Sequence, residues 1–185
     1  ELRSAKQLGL FRYEYELEAA ISHGMRRRGA AGHAYSPIIA SGPHATTLHY
    51  TANNGEIDRN HLVVVDVGAE VENYAADITR TFPVSGRFSP EQSALYQVVL
   101  EAQYAAIDQV QVGLDCHAPH RAALNVLCQG LLDLGLLSGT LDEVVESESY
   151  RRFYMHGTSH WLGLDVHDAG RYKIEGQSRP LQIGM

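Results

Sequence analysis

The chain has 185 residues, of which 44% are apolar, so it holds one domain's worth of material and enough to bury a core. A formal net charge of -7 argues against binding a phosphate backbone, and the local basic run Arg26-Arg27-Arg28 falls at an expected helix C-terminus, where cations favour the dipole. Cys116 and Cys128 are too few for a disulfide framework, and neither a secretory signal pattern nor a bilayer-length apolar run is present, so a cytoplasmic protein without nucleic-acid or membrane partners is expected.

Glu14 to Arg28 reads as an amphipathic helix, with Leu17, Ala20, Ile21 and Met25 on one side and Gly29 at its end. Tyr35 to Ala40 and Thr46 to Thr51 read as short extended segments around a Ser41-Gly42-Pro43 turn. Leu62 to Val65 is a β-branched run suited to a buried strand, and Ile78 to Phe82 is its partner across a turn at Glu72-Asn73. Ser89-Pro90-Glu91-Gln92 is a helix start, with Ser as cap, Pro in the first turn and Gln at the capping-box position; the apolar stripe then runs to Gly113. A further helix is predicted from about His117 to Leu134, closed by Gly135, and a short one from Glu143 to Tyr150. From Phe153 the chain turns extended again, and its last seventeen residues are loop-like. This order predicts an α+β fold with helices packed on one sheet.

The chemistry begins with Asp66, directly after an apolar strand, where a carboxylate is expensive to desolvate unless its charge is compensated. If the turn at Glu72-Asn73 is tight, residues whose numbers add to about 145 face each other, so Asp66 opposes Thr79 and Asp77 opposes Gly68. The two aspartates then share a face as diagonal neighbours, and Gly68 leaves space beside Asp77. Like charges held this close call for a shared proton or for intervening cations, and oxygen ligands so placed suit two metal ions roughly 3.5–4 Å apart.

Three more candidates lie downstream at His156, His160 and His167, interleaved with Gly157, Gly163 and apolar residues. Gly, Thr and Ser between the first two favour extended structure over a helical zinc motif. On a strand His156 and His160 share a face, and His167 needs a bend near Gly163 to join them.

These residues carry a resemblance. Leu48-His49-Tyr50-Thr51, Asp66-Val-Gly-Ala-Glu70, Tyr74-Ala-Ala-Asp77-Ile-Thr-Arg-Thr-Phe-Pro-Val84 and His156-Gly-Thr-Ser-His160-Trp-Leu-Gly-Leu-Asp-Val-His-Asp168 resemble, in order and spacing, the catalytic domain of the Xaa-Pro aminopeptidases among the pita-bread metallopeptidases. The resemblance covers nearly the whole chain and implies a pita-bread α+β fold, with helices on a curved antiparallel sheet. It implies that Asp66 and Asp77 are metal ligands, Asp77 bridging two ions, and that His160 is the single histidine ligand. His156 and His167 would be catalytic, contacting substrate and developing charge, while His49 and Tyr35 would bind substrate. Two divalent ions, manganese by family expectation, would hold a bridging hydroxide that attacks the carbonyl before proline. Peptides with proline second are the implied substrates, and a homo-oligomer the implied assembly of the intact enzyme.

The family completes its site with two glutamates on strands that follow a Gly-Met turn, and this chain ends at Gly184-Met185. The expectation is a partial catalytic domain, without the amino-terminal domain and the closing strands. Weak or no metal binding, no peptidase activity in the 185-residue chain and association through an exposed sheet edge follow from that expectation. Glu70, Glu72 or a neighbouring chain would be the substitutes. A prolidase acting on Xaa-Pro dipeptides and a non-catalytic peptide-binding module of the same fold are the alternatives.

Overall fold

The computed structural model describes residues 8–185, which sort into two units: the chain up to Phe88 with Trp161–Ala169, and Ser89–His160 with Gly170–Met185. Among the described residues no helix is long and apolar enough to cross a membrane.

In the first unit Glu14–Arg26 forms α1, two residues shorter than its periodicity suggests. Beyond it the backbone closes into a turn in which the Ala30 N–H donates to the Met25 carbonyl and Gly29 adopts φ 95°. Gly32–His33 forms β1 and Ile38–Ser41 forms β2. Leu62–Val67 forms β3, Ala69–Val71 forms β4, Tyr74–Ala75 forms β5 and Ile78–Pro83 forms β6. These make two three-stranded sheets, ordered β1-β4-β5 and β2-β3-β6, rather than the one sheet expected.

The predicted hairpin is present in its predicted register. Asp66 pairs with Thr79 on β6 and Val71 with Tyr74 across the turn. Glu72 and Asn73 adopt φ 51° and 69°, the left-handed pair that a tight two-residue hairpin requires. Gly68 and Ala76 interrupt the ladder midway, which is why one hairpin feeds two sheets. The odd-numbered β3 residues Val63 and Val65 are buried with Ile39 of β2 and Leu17 of α1, in a core completed by Ile57 and Val84. Asp66 therefore points to the opposite face.

The expected strand at Thr46 to Thr51 does not form. Gly42–Thr46 is a 3₁₀ turn, and the following chain is irregular, with His49 and Asn53 left-handed at φ 52° and 45°. Polar groups override its extended propensity. The fully buried Glu14 carboxylate, at the start of α1, accepts the Ser41 and Gly55 N–H groups at 2.7 Å each and the Tyr50 hydroxyl at 2.8 Å. Buried Asn53 accepts the Ile39 N–H at 2.9 Å and donates to Glu18 at 2.8 Å and to the Pro37 carbonyl at 2.9 Å.

In the second unit Pro90–Asp108 forms α2, capped as predicted: the Ser89 hydroxyl accepts the Gln92 N–H, and the Gln92 side chain accepts the Ser89 N–H. It stops short of Gly113 because that segment pairs elsewhere, Gly113 donating to the Leu181 carbonyl and Leu181 to that of Leu114. Ala118–Asp133 forms α3 and Leu141–Glu146 forms α4, the latter capped by Thr140 with Glu143. Leu124, Cys128 and Leu131 of α3 bury against Leu137, Val144 and Tyr150. The tail is not wholly loop-like, since Lys173–Ile174 (β7) and Gln177–Ser178 (β8) make a small hairpin.

Candidate metal centre

Register and face place the site. Asp66 near the end of β3 and Asp77 just before β6 stand on the face away from the core, and Tyr35, between β1 and β2, reaches both. Its hydroxyl donates to Asp66 Oδ1 at 2.5 Å and lies 3.0 Å from Asp77 Oδ1. All three residues are half-buried. One hydrogen cannot be donated fully to two acceptors, and the distances assign it mainly to Asp66. Burial first, then the hydrogen bond and the charge of Asp66, then those of Asp77, push the Tyr35 phenol far above its ordinary value, so it stays a neutral donor. Tyr35 was expected to line the substrate pocket; here it links the two aspartates.

The space predicted beside Gly68 is occupied. A β-carbon there would overlap the Ala76 carbonyl oxygen and stand 2.7 Å from Tyr35 Cε1. Glycine thus admits the ring that reaches the carboxylates.

This donor set fits a divalent cation. Two carboxylates converge on one neutral hydroxyl, and their oxygens are the hard ligands that manganese, magnesium or calcium prefer. Among the described residues of the first unit, no third His, Cys, Asp or Glu joins the pair closely enough to complete a site. An apolar cleft on the other side of the sheet, lined by Phe11, Ile21, Met25, Val65, Val67 and Phe82, includes neither aspartate.

The remaining candidates lie on irregular backbone. His49 is exposed, on the segment that Glu14 pins down. His167 is exposed, within the first unit, on a stretch bent back on itself by the Asp168 N–H donating to the Trp161 carbonyl at 3.0 Å. Bending near Gly163 was expected, and its N–H donates to the Asp165 carbonyl at 3.1 Å.

His156 and His160 belong to the second unit, where no strand carries them. Ser159 between them adopts φ 69°, which breaks the extended run their shared face required. His156 Nδ1 donates to the Gly157 carbonyl at 3.0 Å, and because a carbonyl only accepts, that nitrogen carries hydrogen. Donation through Nε2 as well therefore requires the imidazolium.

Three polar groups escaped the sequence reading: Glu14, Asn53 and His120. Glu14 resembled an ordinary first-turn acid. Burial pushes its carboxyl up, but the Ser41, Tyr50, Gly55 and His44 hydrogen bonds more than offset this and hold it below the usual range. No local spacing announces such partners.

Two aspartates converging on an antiparallel hairpin offer oxygen donors of the kind that a divalent cation takes. The family model for metallopeptidase family M24 matches residues 3–185, and the chain belongs to that family. It is 46% identical over 174 residues to an Xaa-Pro aminopeptidase of Haemophilus influenzae, covering 94% of this chain and 40% of that protein. The structure of Pseudomonas aeruginosa aminopeptidase PepP superposes with a TM-score of 0.94 at 45% identity, over 98% of this chain and 42% of the other. Zinc-substituted Escherichia coli aminopeptidase P in complex with product superposes at 0.91 and 40% identity, again over 98% and 42%. The expected α+β pita-bread class is the class of these structures. The chain spans about two fifths of the length of the relatives it matches.

Proposed function

We propose that this chain supplies part of the active site of an Xaa-Pro aminopeptidase, a metal-dependent enzyme that releases the first residue of peptides with proline second. The observation that carries the reading is the convergence of Asp66 and Asp77 on one tyrosine hydroxyl. The similarity to Xaa-Pro aminopeptidases supports the substrate class.

Asp66 and Asp77 would hold two divalent ions, Mn²⁺ by the oxygen-rich donor set, with His160 as a nitrogen ligand. When bound, such ions lower the pKa of water and polarise a carbonyl. The chain's own groups do the rest. Tyr35 orients the aspartates, and His156 and His167 are suited to donate hydrogen bonds to the oxyanion that develops before proline. The Xaa-Pro nitrogen has no hydrogen to offer, so side chains such as His49 must position the proline ring by shape.

The test is manganese titration by calorimetry beside hydrolysis of an Xaa-Pro-Xaa tripeptide and an Xaa-Pro dipeptide, on this chain and on a protein carrying the whole family domain. The complete protein is expected to bind two ions and cleave the tripeptide; the 185-residue chain is expected to bind weakly and to be inactive. No tripeptide cleavage by the complete protein at saturating manganese would sink the reading, and preference for the dipeptide would make it a prolidase.

A further inference from the structure

We propose that His120 is a positioning residue: its Nδ1 accepts the Thr158 backbone N–H and so holds the segment that presents His156 and His160. The proposal rests on the aminopeptidase reading for what those two histidines do.

Within the second unit, His120 sits in the first turn of α3, a helix fixed by the buried Leu124, Cys128 and Leu131. Its Nδ1 lies 3.3 Å from both the backbone nitrogen and the hydroxyl oxygen of Thr158. A backbone N–H only donates, so Nδ1 carries no hydrogen and the ring is the neutral Nε2–H form. The Thr158 hydroxyl also bonds that of Tyr154. The Tyr154 ring stacks on His120 at 5.9 Å and meets His156 edge-on at 4.9 Å. Tyr154 is in turn tied to the core, its N–H donating to the carbonyl of buried Tyr150 at 2.9 Å.

Geometry makes this more than packing. Thr158 stands midway between His156 and His160, and the next residue, Ser159, occupies the left-handed region at φ 69°. An irregular segment with no strand partners needs such side-chain ties to keep two histidines in one arrangement. Protonation at Nδ1 would set hydrogen against hydrogen and lose the tie. Burial lowers the His120 pKa, and His117, His156, Arg121 and Arg151 act in the same direction, which keeps the accepting form populated.

The test uses the complete protein with His120→Phe, which keeps a ring against Tyr154 but removes the acceptor, and His120→Asn, whose side-chain oxygen lies near the place of Nδ1. Hydrogen exchange at the Thr158 amide, calorimetric Mn²⁺ affinity, and kcat and KM on an Xaa-Pro-Xaa tripeptide are read on all three proteins. The expected result for His120→Phe is Thr158 exchange faster by up to about tenfold, the scale of one lost hydrogen bond. A fall in kcat of similar size, weaker Mn²⁺ binding and recovery of most of each by His120→Asn are also expected. Wild-type exchange, affinity and kcat in His120→Phe, or equal losses in both variants, would overturn the proposal. An inactive wild type would overturn the aminopeptidase reading instead, and Thr158 exchange with Mn²⁺ affinity would still decide whether His120 holds the segment.

Discussion

Gly68 and Tyr35 approach so closely that a β-carbon on the glycine would stand 2.7 Å from the tyrosine ring. The same β-carbon would overlap the Ala76 carbonyl, which is backbone and cannot swing aside. Gly68→Ala is therefore expected to destabilise the fold by about 1–3 kcal/mol and to shift Tyr35 away from the aspartates. Urea unfolding with near-ultraviolet circular dichroism checks this. An unchanged midpoint and tyrosine spectrum would show that the hairpin widens freely.

Tyr35→Phe keeps the ring and removes the hydrogen that Asp66 and Asp77 share. The metal-free protein should lose about 1.5–3 kcal/mol, the range for a hydrogen bond to a charged group. A divalent cation held by the two aspartates would compensate the same charges, so on the proposed reading manganese should narrow the gap between variant and wild type. Denaturant midpoints with chelator and with manganese test this, and a gap indifferent to the cation would separate the tyrosine from the metal site.

Asp77→Asn in the complete protein is expected to abolish binding of two ions and to lower turnover by several orders of magnitude, because a neutral amide cannot bridge two cations. Metal stoichiometry measured beside kinetics decides it. Near-normal activity at saturating manganese would remove Asp77 from the ligand set.

Glu14→Gln places an amide NH₂ among donors that all need an acceptor. A loss of about 2–3 kcal/mol is expected near neutral pH, from unsatisfied buried donors. The folded Glu14 carboxyl sits below its ordinary value, so its contribution is complete above about pH 4.5 and is lost as pH falls through the folded value. The stability difference between wild type and Glu14→Gln should therefore shrink in acid. A difference constant down to pH 3 would contradict the assignment of that charge.

Short-range rules made much of this protein legible. The hairpin register followed from the Glu72-Asn73 turn, and with it the placing of Asp66 and Asp77 on one face. The helix start at Ser89 followed from its cap, and Gly135, at φ 68°, marked an end, whereas α4 begins at Leu141 behind a Thr140 cap, ahead of the Glu143 start that the sequence suggested. Where local rules failed, the deciding partner was distant in sequence. Thr46 to Thr51 has strand-like residues, but Glu14 claims the backbone on either side of it. Histidines 156 and 160 have strand spacing, but Ser159 turns left-handed between them and Thr158 is tied to α3, 38 residues away. The break at Gly68, which turns one hairpin into two sheets, needed the Tyr35 ring to explain it.

The Glu14 carboxylate also sets an order of events. Its bonds to Ser41 and Gly55 span 27 and 41 residues, so both are closed only after the chain has paid the entropy of long loops. The segment carrying His49 has no strand partners of its own, and it cannot settle until the first turn of α1 has docked beside β2. That segment is therefore expected to order late in folding. In the native state the Ser41 and Gly55 amides should open to solvent together, as one cooperative unit with the start of the helix.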